Sequence, residues 1–225
     1  MRFRVQILIL FTVFLPSQAP PFSTPNVETL IDKMGAAFQR VMDYQAQVES
    51  TVQREDGSLK TKRVLYTFKK PHRIRLDFES PNRGMVLIYP DKNGKAVIRP
   101  PGWARIFTFR FAPDNFLLQA SLGQRIDQTD LGLLIRNIAH SLRDGRRGEV
   151  EVKEGNEYVW ITVIADDHFR ENVVTRYGFT IDTKLWLPIE VGESLPDGKL
   201  ERKVFFRNLR VNIGVPDSFF EPDGG

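Results

Sequence analysis

The chain has 225 residues, 41% hydrophobic and 27% charged, with a net charge of +4 and no cysteine. That length suits one domain with a sizeable core. The missing cysteine excludes a disulfide framework and any thiolate zinc site.

Met1-Arg2-Phe3-Arg4 is a basic start, Val5 to Leu15 is an apolar run, and Ser17-Gln18-Ala19 is a small-x-small pattern. Together they predict a secretory signal peptide over 1–19, too short to span a membrane, followed by one domain over 20–225. Loss of Arg2 and Arg4 would lower the net charge from +4 to +2. The basic balance is therefore no argument for nucleic acid. Export to the periplasm is expected, without a lipid anchor, because bacterial lipoproteins are acylated on a cysteine.

Thr24 and Pro25 are expected to open a helix as N-cap and first position. Val27, Leu30, Ile31, Met34, Phe38 and Val41 then recur at helical spacing. From Tyr44 the period changes to two. Tyr44–Arg54, Leu59–Phe68, Arg73–Phe78, Met85–Tyr89 and Lys95–Arg99 alternate apolar and polar residues between Asp-Gly, Lys-Pro, Asn-Arg-Gly and Asn-Gly turns. They predict an antiparallel meander. Ile106–Phe111 places Phe107, Phe109 and Phe111 on one face, and Pro113–Gly123 has no clean period.

A second amphipathic helix is expected from Thr129 to Arg143, capped by Asp127 or Thr129 and stopped at Gly145. Asp130 suits its positive end. Strands follow over Glu149–Lys153, Glu157–Ala165 and Val173–Ile181. Asp182-Thr183-Lys184 reads as a turn and Pro196-Asp197-Gly198 as a hairpin signal. The fold class is mainly β with α: a curved antiparallel sheet or incompletely closed β-barrel of about 10–11 strands, covered on its concave side by two amphipathic helices. A sandwich with flanking helices fits the pattern equally well.

For chemistry the chain offers little. His72, His140 and His168 have no metal-ligand spacing, and no nucleophile elbow, phosphate loop or dinucleotide fingerprint occurs. Asp166-Asp167-His168 lies between strands, where aspartate commonly makes turns. No catalytic residue, no metal and no cofactor is expected, and the chain is read as a binding protein, not an enzyme.

The order of pieces from Ile181 to Phe220 resembles the LolA/LolB lipoprotein-localisation superfamily. A strand ends in Asp182 and the Leu187-Pro188 turn. An Asp197-Gly198 hairpin follows, then Phe206-Arg207-Asn208 in a long strand and the tail Asn212-x-x-x-Pro216-x-x-x-Phe220. A second piece is Phe68-Lys69-Lys70-Pro71-His72-Arg73-Ile74-Arg75-Leu76. The resemblance implies a curved sheet plugged by helices and, with no cysteine, the LolA-like carrier branch. It implies a lid latch at Lys70, where the family has an arginine that holds the helices through backbone carbonyls. Lysine donates to carbonyls without the guanidinium's fork, so Arg73 or Arg75 is an alternative. It further implies a hydrophobic cavity. The ligand-binding candidates are Tyr66, Phe68, Ile74, Leu76, Phe107, Phe109, Leu134 and Ile138, against the alternative that each is ordinary core. The expected ligand is a lipoprotein acyl chain or lipid. An envelope membrane-protein partner is the alternative, for a sensor or interaction module on the same fold. A monomer is expected. Finally, Val215–Phe220 is expected to tuck Phe219 and Phe220 against the sheet.

Overall fold

The computed structural model describes residues 26–54, 56–118, 124–144 and 150–222. Residues 1–19, read above as a signal peptide, and Thr24, Pro25 and Gly145 lie outside them. The chain forms α1 (Val27–Gln39), β1 (Asp43–Gln53), β2 (Leu59–Lys69), β3 (Arg73–Ser80), β4 (Val86–Tyr89), β5 (Ala96–Arg99) and β6 (Phe109–Phe111). Then come α2 (Leu131–Asp144), β7 (Val150–Glu154), β8 (Tyr158–Asp166), β9 (Val174–Asp182), β10 (Leu187–Ser194) and β11 (Leu200–Val211).

All eleven strands join one antiparallel sheet in the order β6-β5-β4-β3-β2-β1-β11-β10-β9-β8-β7. Two meanders therefore meet where β1 pairs with β11. The sheet is a curved, open one: its end strands β6 and β7 do not pair, so it is not closed into a barrel. The β6 end tapers through strands of four and three residues, which offer few ladder bonds for closure.

Register aligns the apolar sets. Tyr44, Ala46 and Val48 face Phe68, Tyr66 and Val64 of β2, and these face Ile74, Leu76 and Phe78 of β3. On the far side Val191 of β10 pairs with Val204 of β11 and Phe179 of β9, and Ile161 of β8 pairs with Phe179. This face and both helices share one core, with Met34, Ile138 and Leu131 fully buried. α1 and α2 pack on each other as well as on the sheet. A Cβ at Gly132 would lie 2.3 Å from Phe38 Cε1, so glycine sets how closely the helices cross.

The first helix starts two residues later than the Thr24–Pro25 reading, with Asn26 as N-cap accepting from Glu28 N–H at 3.0 Å. The second cap is also moved. Asp130 accepts from Leu133 N–H at 3.0 Å, while Asp127 is held by Arg125 and Thr129 hydroxyl is turned back to the Ile126 carbonyl. Ile106–Phe111 forms a strand only from Phe109, because Gly102–Ile106 coils as a 3-10 turn.

The tail builds a second, smaller core on the opposite face of the sheet. Val215 and Phe220 pack with Val86, Ile88 and Val97, and Phe219 is only partly buried. Arg75, itself buried, donates to the Phe219 carbonyl at 2.8 Å and lies 4.2 Å from that ring.

Candidate functional site

Between the main face of the sheet, α2 and the segment before α2 lies a cavity of about 330 Å³. Its floor is a row running across strands: Tyr66 of β2, Leu76 of β3, Leu87 of β4 and Ile98 of β5, each paired with the next. Val48, Val204 and Phe206 extend the floor across β1 and β11. Leu118, Ile126, Leu134 and Asn137 form the roof. No residue of α1 lines it. The wall is therefore mostly aliphatic and aromatic, as ligand cavities generally are.

Tyr66, Leu76 and Leu134 are the sequence-chosen residues that line this cavity. Phe68, Ile74 and Ile138 are fully buried but lie outside its wall. Phe68 packs against Tyr44 at 5.0 Å and against Phe38 of α1 at 6.2 Å, so it is spent on seating a helix. Phe107 and Phe109 are about half exposed, at 49% and 48%, and neither lines the cavity. Trp103, Ile106 and Phe116 are exposed as well, and the Trp103 ring meets that of Phe107 at 6.4 Å. Period-two alternation put Tyr66 and Phe68 on the buried face of β2. It carried no information on which part of that face a helix covers.

The tyrosines do more than line. Tyr44 hydroxyl accepts from Leu131 N–H at 3.0 Å, and Tyr66 hydroxyl lies 3.2 Å from Thr129 Oγ1. Tyr44 thus holds the first residue of α2 and Tyr66 the segment just before it. Burial pushes both phenolic groups above their ordinary range, so they stay protonated.

The basic cluster after β2 divides its work. Lys70 Nζ donates to the Phe38 and Gln39 carbonyls, each at 2.9 Å, at the C-terminal end of α1. It also stands 5.0 Å from the Phe38 ring centroid. Arg73 instead pairs with Asp217 at 3.2 Å, and Lys69 reaches Asp217 and the Val215 carbonyl, both at 2.6 Å. Arg73 and Lys69 therefore hold the tail. Of the latch candidates, Lys70 is the one placed on a helix.

The polar wall was missed from sequence. Glu193 and Arg202 are paired across β10 and β11 and form a buried ion pair in the cavity wall, with Arg202 also donating to Gln124 at 3.0 Å. His168 lines the cavity too. Its ring stacks 4.3 Å from Tyr177, and Nε2 lies 2.7 Å from the buried Ser141 hydroxyl of α2. Burial pushes His168 down to about 4, so its ring is neutral. The pair looks like a nucleophile with its base, but Ser141 does not line the cavity. Asp167 does not complete a relay. Its carboxylate accepts from Arg170, Thr175 and the backbone N–H of Phe169 and Arg170. Against the burial that would raise it, those bonds hold Asp167 below the ordinary carboxylate range. Among the described residues no three His, Asp or Glu side chains converge as a metal site, and no helix is long and apolar enough to cross a membrane.

No protein-family model matches the chain, and no curated protein matches it in sequence. Solved structures do. One is a putative outer membrane lipoprotein-sorting protein domain from Vibrio parahaemolyticus, with 13% identity and TM-score 0.45, covering 87% of this chain and 97% of that one. The LolA superfamily protein NE2245 from Nitrosomonas europaea has 9% identity and TM-score 0.40, with 88% and 98% covered. The MucA/MucB complex from Pseudomonas aeruginosa gives 15% identity and TM-score 0.42, with 87% of this chain and 60% of that one covered. The fold is similar to LolA-superfamily structures. Likenesses of this size describe the course of the chain and carry nothing about what it binds.

Proposed function

We propose that the protein is an exported carrier or binding protein for an acylated or otherwise apolar ligand, working by binding alone. The observation that supports this most is the cavity of about 330 Å³ between sheet and α2, floored by the row Tyr66, Leu76, Leu87 and Ile98. Each methylene moved from water into such a wall gains about 0.8 kcal/mol, so a single acyl chain suffices for stable binding. The volume is at the small end of ligand cavities, roughly 300–1,000 Å³, and suits one chain rather than several. In this reading a shift of α2 accompanies entry; Lys70, on the α1 carbonyls, holds the helix pair closed, and the closed state is only modestly favoured. The test is to purify the protein from its host and identify co-purifying lipid by mass spectrometry after solvent extraction. One apolar chain per protein supports the reading. A protein that carries none, and that takes up no fluorescent fatty-acyl probe, sinks it.

A second reading, an envelope interaction module, is favoured by the exposed large apolar side chains Trp103, Ile106, Phe107, Phe109 and Phe116, of which Trp103 and Phe107 are in ring contact. Contiguous exposed apolar surface commonly marks a docking site. Capture of one stoichiometric envelope protein, lost on Trp103→Ser with Phe107→Ser, would favour it; unchanged capture would remove these side chains from the account.

A further inference from the structure

The cavity is not uniform from end to end. Strand register divides its floor into successive rows. At one end Lys60 of β2, Val52 of β1, Arg202 of β11 and Glu193 of β10 stand side by side. The next row is Lys62, Ser50, Val204 and Val191. Beyond these lie Val64, Val48 and Phe206, and then Tyr66. Lys62 and Tyr66 are four residues apart on one strand, so about 13 Å separates them. The floor thus has a basic end and an apolar remainder.

The charges at the basic end do not cancel. Glu193 is taken by Arg202. Lys60 and Lys62 both line the cavity, and among the described residues neither has a carboxylate within salt-bridge distance. The near neighbour of the Lys62 ammonium is the Phe78 ring, 5.9 Å away. The other carboxylate in the wall, Asp130, sits at the Tyr66 end, capping α2 and 3.8 Å from His72. Burial lowers the affinity of Lys62 for its proton, and Lys60 adds repulsion. A half-buried, unpaired ammonium at the end of an apolar slot lacks an anion.

We propose that the cavity takes a single-chain anionic amphiphile, its tail along Leu76, Leu87 and Leu134 and its carboxylate or phosphodiester headgroup on Lys60 and Lys62. This rests on the apolar-ligand reading above and narrows it. Neutral lipids of the same chain are bound without the headgroup contribution.

The experiment is displacement of a neutral fluorescent apolar probe from the full chain. The competitors are palmitate, methyl palmitate, lysophosphatidylglycerol and lysophosphatidylcholine. The anionic member of each pair is expected to displace at least about tenfold better than its partner, the size of a charge-assisted contact. Lys60→Met with Lys62→Met should bring the pairs level while leaving methyl palmitate unchanged, and Lys62→Arg should keep the preference. The stronger of the two anions assigns the headgroup to carboxylate or phosphodiester. Equal displacement by acid and ester in the unmodified protein overturns the inference and leaves the apolar cavity standing. A preference that survives the double substitution, in a protein whose melting is unaltered, also overturns it. Failure of the probe to bind at all overturns the apolar-ligand reading itself.

Discussion

Asp43 is buried at the start of β1 and its carboxylate accepts from the backbone N–H groups of Ile213, Gly214 and Val215 at 2.7 to 3.2 Å. Asn212 completes this clasp. Its side chain accepts from Met42 N–H at 2.7 Å and donates to the Arg40 carbonyl at 3.1 Å, from a backbone φ of 55° that asparagine tolerates better than most residues. Asn208, also at positive φ, sits where the β1–β11 register shifts and bonds Gln47 at 3.0 Å. The Phe-x-Asn and Asn-x-x-x-Pro patterns were visible in the sequence. Their purpose was not, because the groups they satisfy lie some 170 positions earlier. Asp43→Asn is expected to lose about 2–3 kcal/mol in chemical denaturation, the worth of bonds to a buried charge. Of the two tail aromatics, Phe220 is the buried one, so Phe220→Ala should cost about 3–5 kcal/mol and Phe219→Ala clearly less. His168 gives the pH dependence. It titrates near 4 when folded against 6.5 unfolded, so the unfolded chain holds the extra proton between those values. Stability is therefore full above pH 6.5 and falls toward pH 4, by up to about 1.4 kcal/mol per unit. In His168→Gln this part of the slope should vanish from denaturation midpoints measured across that range.

At the scale of elements, both helices and nearly every strand were legible, because 3.6- and 2-residue periods are strong over whole segments. The ends were not. α2 takes Asp130 as its cap because Asp127 is engaged by Arg125, a competition that composition cannot rank. The close crossing of α1 and α2 at Gly132 left no trace beyond a glycine inside a helical pattern. Gly132→Ala should force Phe38 aside and lower the melting temperature, whereas Gly35→Ala, with nothing within 4 Å of the added carbon, should not. Lys70 ties β2 to the end of α1. Lys70→Met should cost about 1–2 kcal/mol and speed release of a bound acyl probe in stopped flow, with Lys70→Arg restoring much of both. Destabilisation with unchanged release would leave Lys70 as a structural tie alone.

For the whole molecule, two meanders joined at β1–β11 give one broad apolar face, and the two helices cover part of it. Where α2 and the segment before it stand off that face, they leave the cavity. Sequence periodicity indicated the face, and Tyr66, Leu76 and Leu134, chosen with the help of the family resemblance, lie in the cavity wall. The size and place of the gap depend on how the helices dock, and the buried Glu193–Arg202 pair depends on pairing across two strands; neither is written in any one segment. On the proposed function, this gap holds an apolar chain. Titration of a fluorescent fatty-acyl probe into the protein and into two variants that fill the gap, Leu134→Trp and Val204→Trp, tests it most directly. Saturable binding of one probe per chain is expected, lost in both variants while circular dichroism and melting stay close to those of the parent. Binding that persists with the gap filled, or that never occurs, would contradict it.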